Sequence, residues 1–70
     1  MLREFGARVR RYRLAQGLSQ EDLGDKAGLH RTYIGSLERG ERNVSLINVV
    51  QISRALQIDP GELIRSLRPS

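Results

Sequence analysis

The stretch GLHRTYIGSLERGERN, residues 28–43, decides how the sequence is interpreted. It has the form of a short helix between two glycines, Gly28 and Gly40. Glycine tolerates the left-handed backbone that commonly ends a helix, so these two positions mark boundaries. Ile34 and Leu37 suffice to pack the helix against a core. The four residues before Ile34, HRTY, carry polar and aromatic groups that packing alone does not require.

A second short helix is predicted just before this one, with only the residues GLH between them. Ser19 is a good N-cap for it, and Asp22 stands where a capping box usually has Glu or Gln. Leu23 and Ala27 give it an inward face. Two short helices joined by a tight turn containing glycine are typical of the helix-turn-helix unit, whose second helix lies in the major groove of DNA.

The front of the second helix of this unit has side chains suited to base edges. The guanidinium of Arg31 can bond a guanine at two points, and Thr32 can use its hydroxyl or touch a thymine methyl. The first helical turn also offers free backbone N–H groups to phosphate. These residue types predict contact with double-stranded DNA.

The composition fits this prediction without proving it. The chain has 70 residues, no cysteine and a net charge of +4, and eleven of its twelve basic residues are arginine. Arginine suits phosphate and guanine better than lysine does, although a solvated basic face fits the composition equally well. No apolar run approaches the ~20 residues that span a bilayer, and the amino terminus is charged where a signal peptide is apolar. We therefore expect a cytoplasmic protein with no membrane contact.

The periodicity of apolar residues predicts an all-α fold in a single domain covering residues 1–70. Five helices are expected, at about residues 2–16, 20–27, 31–39, 46–56 and 60–67. Asp59, Pro60 and Glu62 are interpreted as the cap, the first helical position and the capping-box partner of the last helix.

The fourth helix has more apolar surface than packing on one side requires. It is interpreted as a central helix, with part of its surface left for a second copy of the chain. A homodimer is expected, with an interface formed by Ile47, Val50, Leu63, Ile64 and Leu67.

The chain resembles the lambda-repressor and Cro-like helix-turn-helix family from residue 5 to residue 63. The resemblance lies in GLSQEDLGDKAGL, RTYIGSLERGERN and SLINVVQISRALQIDPGELI. It implies a compact five-helix domain that binds a two-fold symmetric operator as a dimer and regulates transcription. Among stand-alone relatives, the controller proteins of restriction–modification systems are the most similar in their motifs. This similarity suggests a regulator of its own operon.

The resemblance also implies roles for individual residues. Base contacts are expected from Arg31, Thr32, Ser36 and Tyr33, with Tyr33 at the edge of the groove. Phosphate contacts are expected from Gln20, His30, Arg42 and Asn43. An internal ion pair is expected between Arg13 and Glu38.

Three positions depart from the family pattern. His30 stands where Ser or Thr is the usual N-cap, so its imidazole is expected either to cap weakly or to meet the DNA backbone. Gly24 and Gly35 replace small residues inside helices, where glycine costs about 0.5–1 kcal/mol relative to alanine. Both are interpreted as sites of close helix approach, and Gly35 also as a site of close approach to DNA.

An enzyme is not expected. One histidine and no cysteine leave little for a metal site, and capping and solvation explain the acidic residues of the second helix. No cofactor, metal or small-molecule ligand is expected. Two other interpretations stay open: an antitoxin-type module that binds a toxin and represses its own promoter, and a fragment of a longer regulator with a sensor domain.

Overall fold

Five α-helices follow one another along the chain in the computed structural model, which describes residues 1–69. The helices are α1 (Leu2–Ala15), α2 (Gln20–Ala27), α3 (Arg31–Glu38), α4 (Leu46–Ala55) and α5 (Gly61–Ile64). No strand occurs in the described part of the chain, so the predicted all-α, five-helix architecture is confirmed. The helices α1, α3 and α4 each end one residue earlier than predicted, within the usual uncertainty of helix ends. None of the described helices is long and apolar enough to cross a membrane.

One hydrophobic core receives side chains from all five helices. Its buried members are Phe5, Val9, Leu23, Ala27, Ile34, Leu37, Val49, Ile52, Leu56 and Leu63. Leu63 exposes 0% of its surface. Its predicted place at a dimer interface is therefore wrong, because the short helix α5 uses this side chain to close the core.

The turn between α2 and α3 has the geometry that its sequence indicates. Ser19 Oγ accepts a hydrogen bond from the Asp22 N–H at 2.9 Å, and the Asp22 carboxylate accepts one from the Ser19 N–H at 2.9 Å. Aspartate therefore completes the capping box, and the bond from the Ser19 backbone lowers the pKa of the Asp22 carboxyl. At the other end of α2, Gly28 has φ 72°, and the chain turns there into α3.

Helix α5 differs from its prediction. Asp59 Oδ1 accepts a bond from the Gly61 N–H at 3.1 Å, but the N-cap residue is Pro60, which precedes the first helical residue, Gly61. Glu62 does not complete a capping box. Its carboxylate instead accepts the Tyr12 hydroxyl at 2.8 Å, which ties α5 to α1 and raises the pKa of Tyr12.

The carboxyl end of α5 is held by a side chain of α1. The Arg8 guanidinium donates to the backbone oxygens of Leu63 at 3.3 Å and Arg65 at 2.7 Å. A cation that satisfies the last carbonyls can replace further helical turns. The helix accordingly ends at Ile64, three residues earlier than predicted.

A buried ion pair joins α1 to the end of α3. Arg13 Nε lies 2.6 Å from Glu38 Oε2, and a second guanidinium nitrogen lies 2.9 Å from Oε1. A third donates to the Leu18 backbone oxygen at 2.8 Å, just before α2 begins. The hydrogen bond to Glu38 raises the pKa of Arg13 against the lowering effect of burial. The pair therefore fixes the positions of three helices relative to one another.

Helix α1 also crosses the end of α3 at a very short distance. A Cβ atom on Gly6 would lie against the backbone oxygens of Leu37 and Glu38, 2.7 Å from the latter. Real Cβ atoms do not approach backbone so closely, so only glycine permits this crossing. The crossing and the ion pair together set the direction of α3.

We expect Glu38→Gln to lower the free energy of unfolding by about 3–5 kcal/mol, because it leaves the buried Arg13 charge without its counter-charge. Glu41→Gln is the matched control, since the Arg39–Glu41 pair is exposed, with 59% and 57% of its side-chain surface accessible. Its expected effect is within about 0.5 kcal/mol. Urea unfolding followed by circular dichroism measures both. Equal effects would contradict a structural role for the buried pair.

We expect Gly6→Ala to destabilise the fold by about 1–3 kcal/mol, the usual cost of overpacking, although alanine is the better helix former. In the control Gly35→Ala, the new Cβ would meet the flexible end of Gln20 at 3.1 Å. Its unfolding free energy is expected to stay unchanged or to rise by up to about 1 kcal/mol. Thermal melts of the two variants give the comparison, and a stabilised Gly6→Ala would show that α1 and α3 have room to separate.

Candidate nucleic-acid interface

Helix α3 has one buried face and one accessible face. Ile34 and Leu37 lie in the core, with 0% and 1% of their surfaces exposed. Arg31 and Thr32, in the first turn, are exposed, and Ser36 one turn later is half-buried. The structure thus brings three of the predicted base-contacting residues to the accessible side of one helix.

His30 is the N-cap of α3, which is the first of its two expected roles. Its Nδ1 accepts a hydrogen bond from the Thr32 N–H at 3.2 Å. This bond assigns the ring proton of the neutral imidazole to Nε2, which stays available as a donor on an exposed side chain. The same residue can therefore cap the helix through one nitrogen and meet a phosphate through the other.

Arg31 has an acidic neighbour but is not held firmly by it. One guanidinium nitrogen lies 3.4 Å from Glu21 Oε2, and both side chains are about two-thirds exposed, at 66% and 64%. An exposed pair of this length contributes little to stability and exchanges partners readily. The donor fork of Arg31 is consequently free to engage a base edge.

Gln20, at the first position of α2, has its side chain against α3, the helix proposed to lie in the major groove (the recognition helix). Its Nε2 donates to Glu38 Oε1 at 3.2 Å, so the buried ion pair also orients this amide. A Cβ at Gly35 would come within 3.1 Å of Gln20 Oε1. The glycine expected to mark a close approach in α3 therefore makes room for the Gln20 side chain. Gly24, in α2, makes room for the backbone of the following turn, since a Cβ added there would lie 2.5 Å from the Leu29 backbone oxygen.

The loop after α3, residues 39–45, is attached to α3 through Tyr33. The Tyr33 hydroxyl donates to the Asn43 backbone oxygen at 3.2 Å and accepts from Asn48 Nδ2 at 3.0 Å. The Arg42 guanidinium lies over the Tyr33 ring, 5.7 Å from its centroid. Such an exposed cation–π contact is worth about 0.5–1 kcal/mol. The structure thus places the predicted phosphate contacts Arg42 and Asn43 beside the recognition helix.

Sequence reasoning missed the part played by Asn48. It occupies the first turn of α4, where Ser45 Oγ accepts its backbone N–H at 3.1 Å. Nothing in the sequence pairs the Asn48 side chain with Tyr33, because the contact depends on where the tertiary structure places α4 relative to α3. Asn48 is therefore an addition to the candidate site that only the tertiary structure reveals.

A separate group of apolar side chains is exposed on α4 and α5. Ile47 exposes 70% of its surface, Ile64 43% and Val50 38%. Leu67 is half-buried beside the core. With Leu63 in the core, these are the remaining members of the predicted dimer interface.

No three His, Cys, Asp or Glu residues among residues 1–69 converge as a metal site would need. Every buried side-chain nitrogen and oxygen in the range has a hydrogen-bond partner. The polar groups that converge are those of the α3 face and the neighbouring loop, whose donors suit nucleic acid.

Comparison with known proteins agrees with this geometry. A profile of the helix-turn-helix family matches residues 9–63. The chain is 51% identical over 61 residues to the control protein C.BamHI of Bacillus amyloliquefaciens, covering 86% of this chain and 75% of that protein. It is 50% identical over 56 residues to the control protein C.SmaI of Serratia marcescens, covering 80% and 67%.

A solved structure matches the fold closely. The crystal structure of the restriction–modification controller protein C.AhdI from Aeromonas hydrophila superposes with a TM-score of 0.88 at 52% identity, covering 90% of this chain and 96% of that one. The profile match extends over more than half of the chain, and the relatives preserve both sequence and fold. The chain belongs to the lambda-repressor-like helix-turn-helix family of DNA-binding transcriptional regulators.

Proposed function

We propose that the protein is a cytoplasmic homodimer that binds a two-fold symmetric operator and controls the transcription of its own operon. The accessible face of α3 carries this proposal. Arg31, Thr32 and Ser36 point away from a core that holds Ile34 and Leu37 at full burial. A helix anchored on one side, with a polar first turn on the other, suits insertion into the major groove.

Phosphate contacts on both sides of α3 complete the proposed interface. Gln20 and His30 lie before and at its amino end, and Arg42 and Asn43 follow its carboxyl end. Phosphate contacts fix the register and orientation of a protein on the duplex, whereas base contacts select the sequence. We assign the four residues to phosphate contacts, which set the register and orientation, and the α3 face to base contacts, which select the sequence.

Dimerisation is assigned to the apolar surface of Ile47, Val50, Ile64 and Leu67. Large apolar side chains that stay exposed, as Ile47 and Ile64 do, favour protein–protein contact. A two-fold axis through this surface would present two α3 helices to successive half-sites of one operator. Because dimers form by mass action, operator occupancy would then follow the concentration of the protein itself.

The genes under control are inferred from the relatives. Two curated relatives of about half identity are named control proteins, and the superposed structure is that of a restriction–modification controller. We infer that this protein likewise controls a restriction–modification operon that includes its own gene.

Selection from a random pool of double-stranded DNA tests the proposal. Recovery of a two-fold symmetric motif with half-sites about one helical turn apart, and its presence upstream of the gene, is the expected result. Salt-sensitive binding without any enriched sequence would contradict it. That outcome would favour a module whose main partner is a protein, such as a toxin.

We expect Arg31→Ala to lower operator affinity by about 1–3 kcal/mol and to relax the preference at one base position in each half-site. Arg42→Ala is expected to weaken all DNA sequences alike and to lower the slope of log affinity against log salt by about one. Fluorescence anisotropy at two salt concentrations measures both effects.

Arg54→Ala is the control for the change in net charge, because Arg54 is an exposed arginine of α4 outside the proposed interface. Its effect on affinity is expected to be small at either salt concentration. Uniform weakening by Arg31→Ala, with base preferences intact, would show that the reading surface lies elsewhere.

We expect Ile47→Asp to convert dimers to monomers and thereby to lower operator affinity, because it places a charge in the apolar contact. Leu14→Asp is the matched control, since Leu14 is an exposed leucine of α1, 54% accessible, outside the proposed contact. Light scattering gives the mass of each variant. A dimer that survives Ile47→Asp, or a wild type that is monomeric at the concentrations used, would refute the assigned surface.

A further inference from the structure

We propose that Tyr33 is a positioning residue: it fixes the loop that carries Arg42 and Asn43 in its DNA-binding geometry, and its hydroxyl does not read bases. This inference rests on the proposed function. It replaces the base contact that the family resemblance implies for Tyr33.

The hydroxyl of Tyr33 is already engaged by two protein groups. A phenol has one O–H donor and can accept through its oxygen. The donor is directed to the Asn43 backbone oxygen at 3.2 Å, and the oxygen accepts from Asn48 Nδ2 at 3.0 Å. Reading a base with this O–H would require Tyr33 to give up its bond to the loop.

The ring of Tyr33 is engaged as well. The side chain is half-buried, and the Arg42 guanidinium rests over its face at 5.7 Å. Arg42 lies one residue before Asn43, so the ring and the hydroxyl hold two consecutive loop residues. Both contacts originate from one side chain of α3.

The manner of attachment leaves the phosphate-binding groups free. Asn43 is held through its backbone oxygen, so its side-chain amide can still reach a phosphate. Arg42 is held by the face of a ring, which occupies none of its N–H donors. The loop is thus ordered before DNA arrives, so the binding free energy is not reduced by the entropic cost of ordering it.

Asn48 extends the attachment to a third element. Its amide connects the Tyr33 hydroxyl to the first turn of α4. Neither Asn48 nor the Asn43 backbone oxygen belongs to the α3 face that carries the base contacts. Loosening this network should therefore weaken phosphate contacts, which carry no sequence information, and leave base preference unchanged.

The test compares Tyr33→Phe, Asn48→Ala and the double variant on three kinds of duplex: the enriched operator, its single-base-pair variants and a scrambled sequence. Each single change is expected to lower affinity for the three duplexes alike, by about threefold to tenfold, as loss of a modest hydrogen bond implies. The double variant should lose little more than Tyr33→Phe alone, because Tyr33→Phe already removes both bonds of the hydroxyl, including the one from Asn48.

Tyr12→Phe is the matched control. It deletes the other tyrosine hydroxyl of the chain, which bonds Glu62 between α1 and α5. DNA affinity should stay at the wild-type value. Hydrogen exchange of the free proteins adds a measurement that does not depend on base contacts. Amides of residues 40–44 should exchange faster in Tyr33→Phe and Asn48→Ala, and at the wild-type rate in Tyr12→Phe.

Three results would overturn the inference: a changed preference at one base pair in Tyr33→Phe, unchanged affinity for every duplex, or strictly additive effects of the two changes. Failure of the proposed function has a different signature. The wild type would then bind operator and scrambled duplex equally, while the effect of Tyr33→Phe on the scrambled duplex would still report whether the loop is positioned.

Discussion

The buried ion pair between Arg13 and Glu38 is the interaction on which the geometry of the recognition helix depends. A helix of eight residues is too short to persist alone in water, so its direction comes from tertiary contacts. Burying two charges is favourable only when both are fully satisfied, and here Arg13 engages both Glu38 oxygens and the Leu18 carbonyl. The same carboxylate orients Gln20. One interaction therefore fixes α1, the entry to α2 and the end of α3.

The sequence predicts this framework because its signals are local. Ser19 with Asp22, and Gly28 with its positive φ, each act within a few residues, and the apolar spacing places Ile34 and Leu37 in the core. Which side chains of α3 remain accessible then follows from helical periodicity. The exposed front of α3 is thus predictable, and the structure places Arg31 and Thr32 there.

What the sequence does not predict depends on contacts between distant residues. Gly6 is one of several glycines in the sequence, and its role appears only where α1 meets the backbone of Leu37 and Glu38. Leu63 looks like an interface leucine until α5 is seen to be a single turn that closes the core. Asn48 and Tyr33 are fifteen residues apart in sequence, and only the tertiary structure brings their side chains together. These features require the orientations of whole helices, which no local pattern contains.

The basic side chains of the candidate interface differ from Arg13 in one physical respect. Arg31 lies near Glu21 and Arg42 over the Tyr33 ring, both at exposed positions. Water screens such contacts, so each costs little to break and a phosphate or a guanine can replace it. Arg13 makes the opposite kind of pair, which is too well buried to exchange. The chain thus uses burial to separate an arginine that holds the fold from those that are proposed to change partners on DNA.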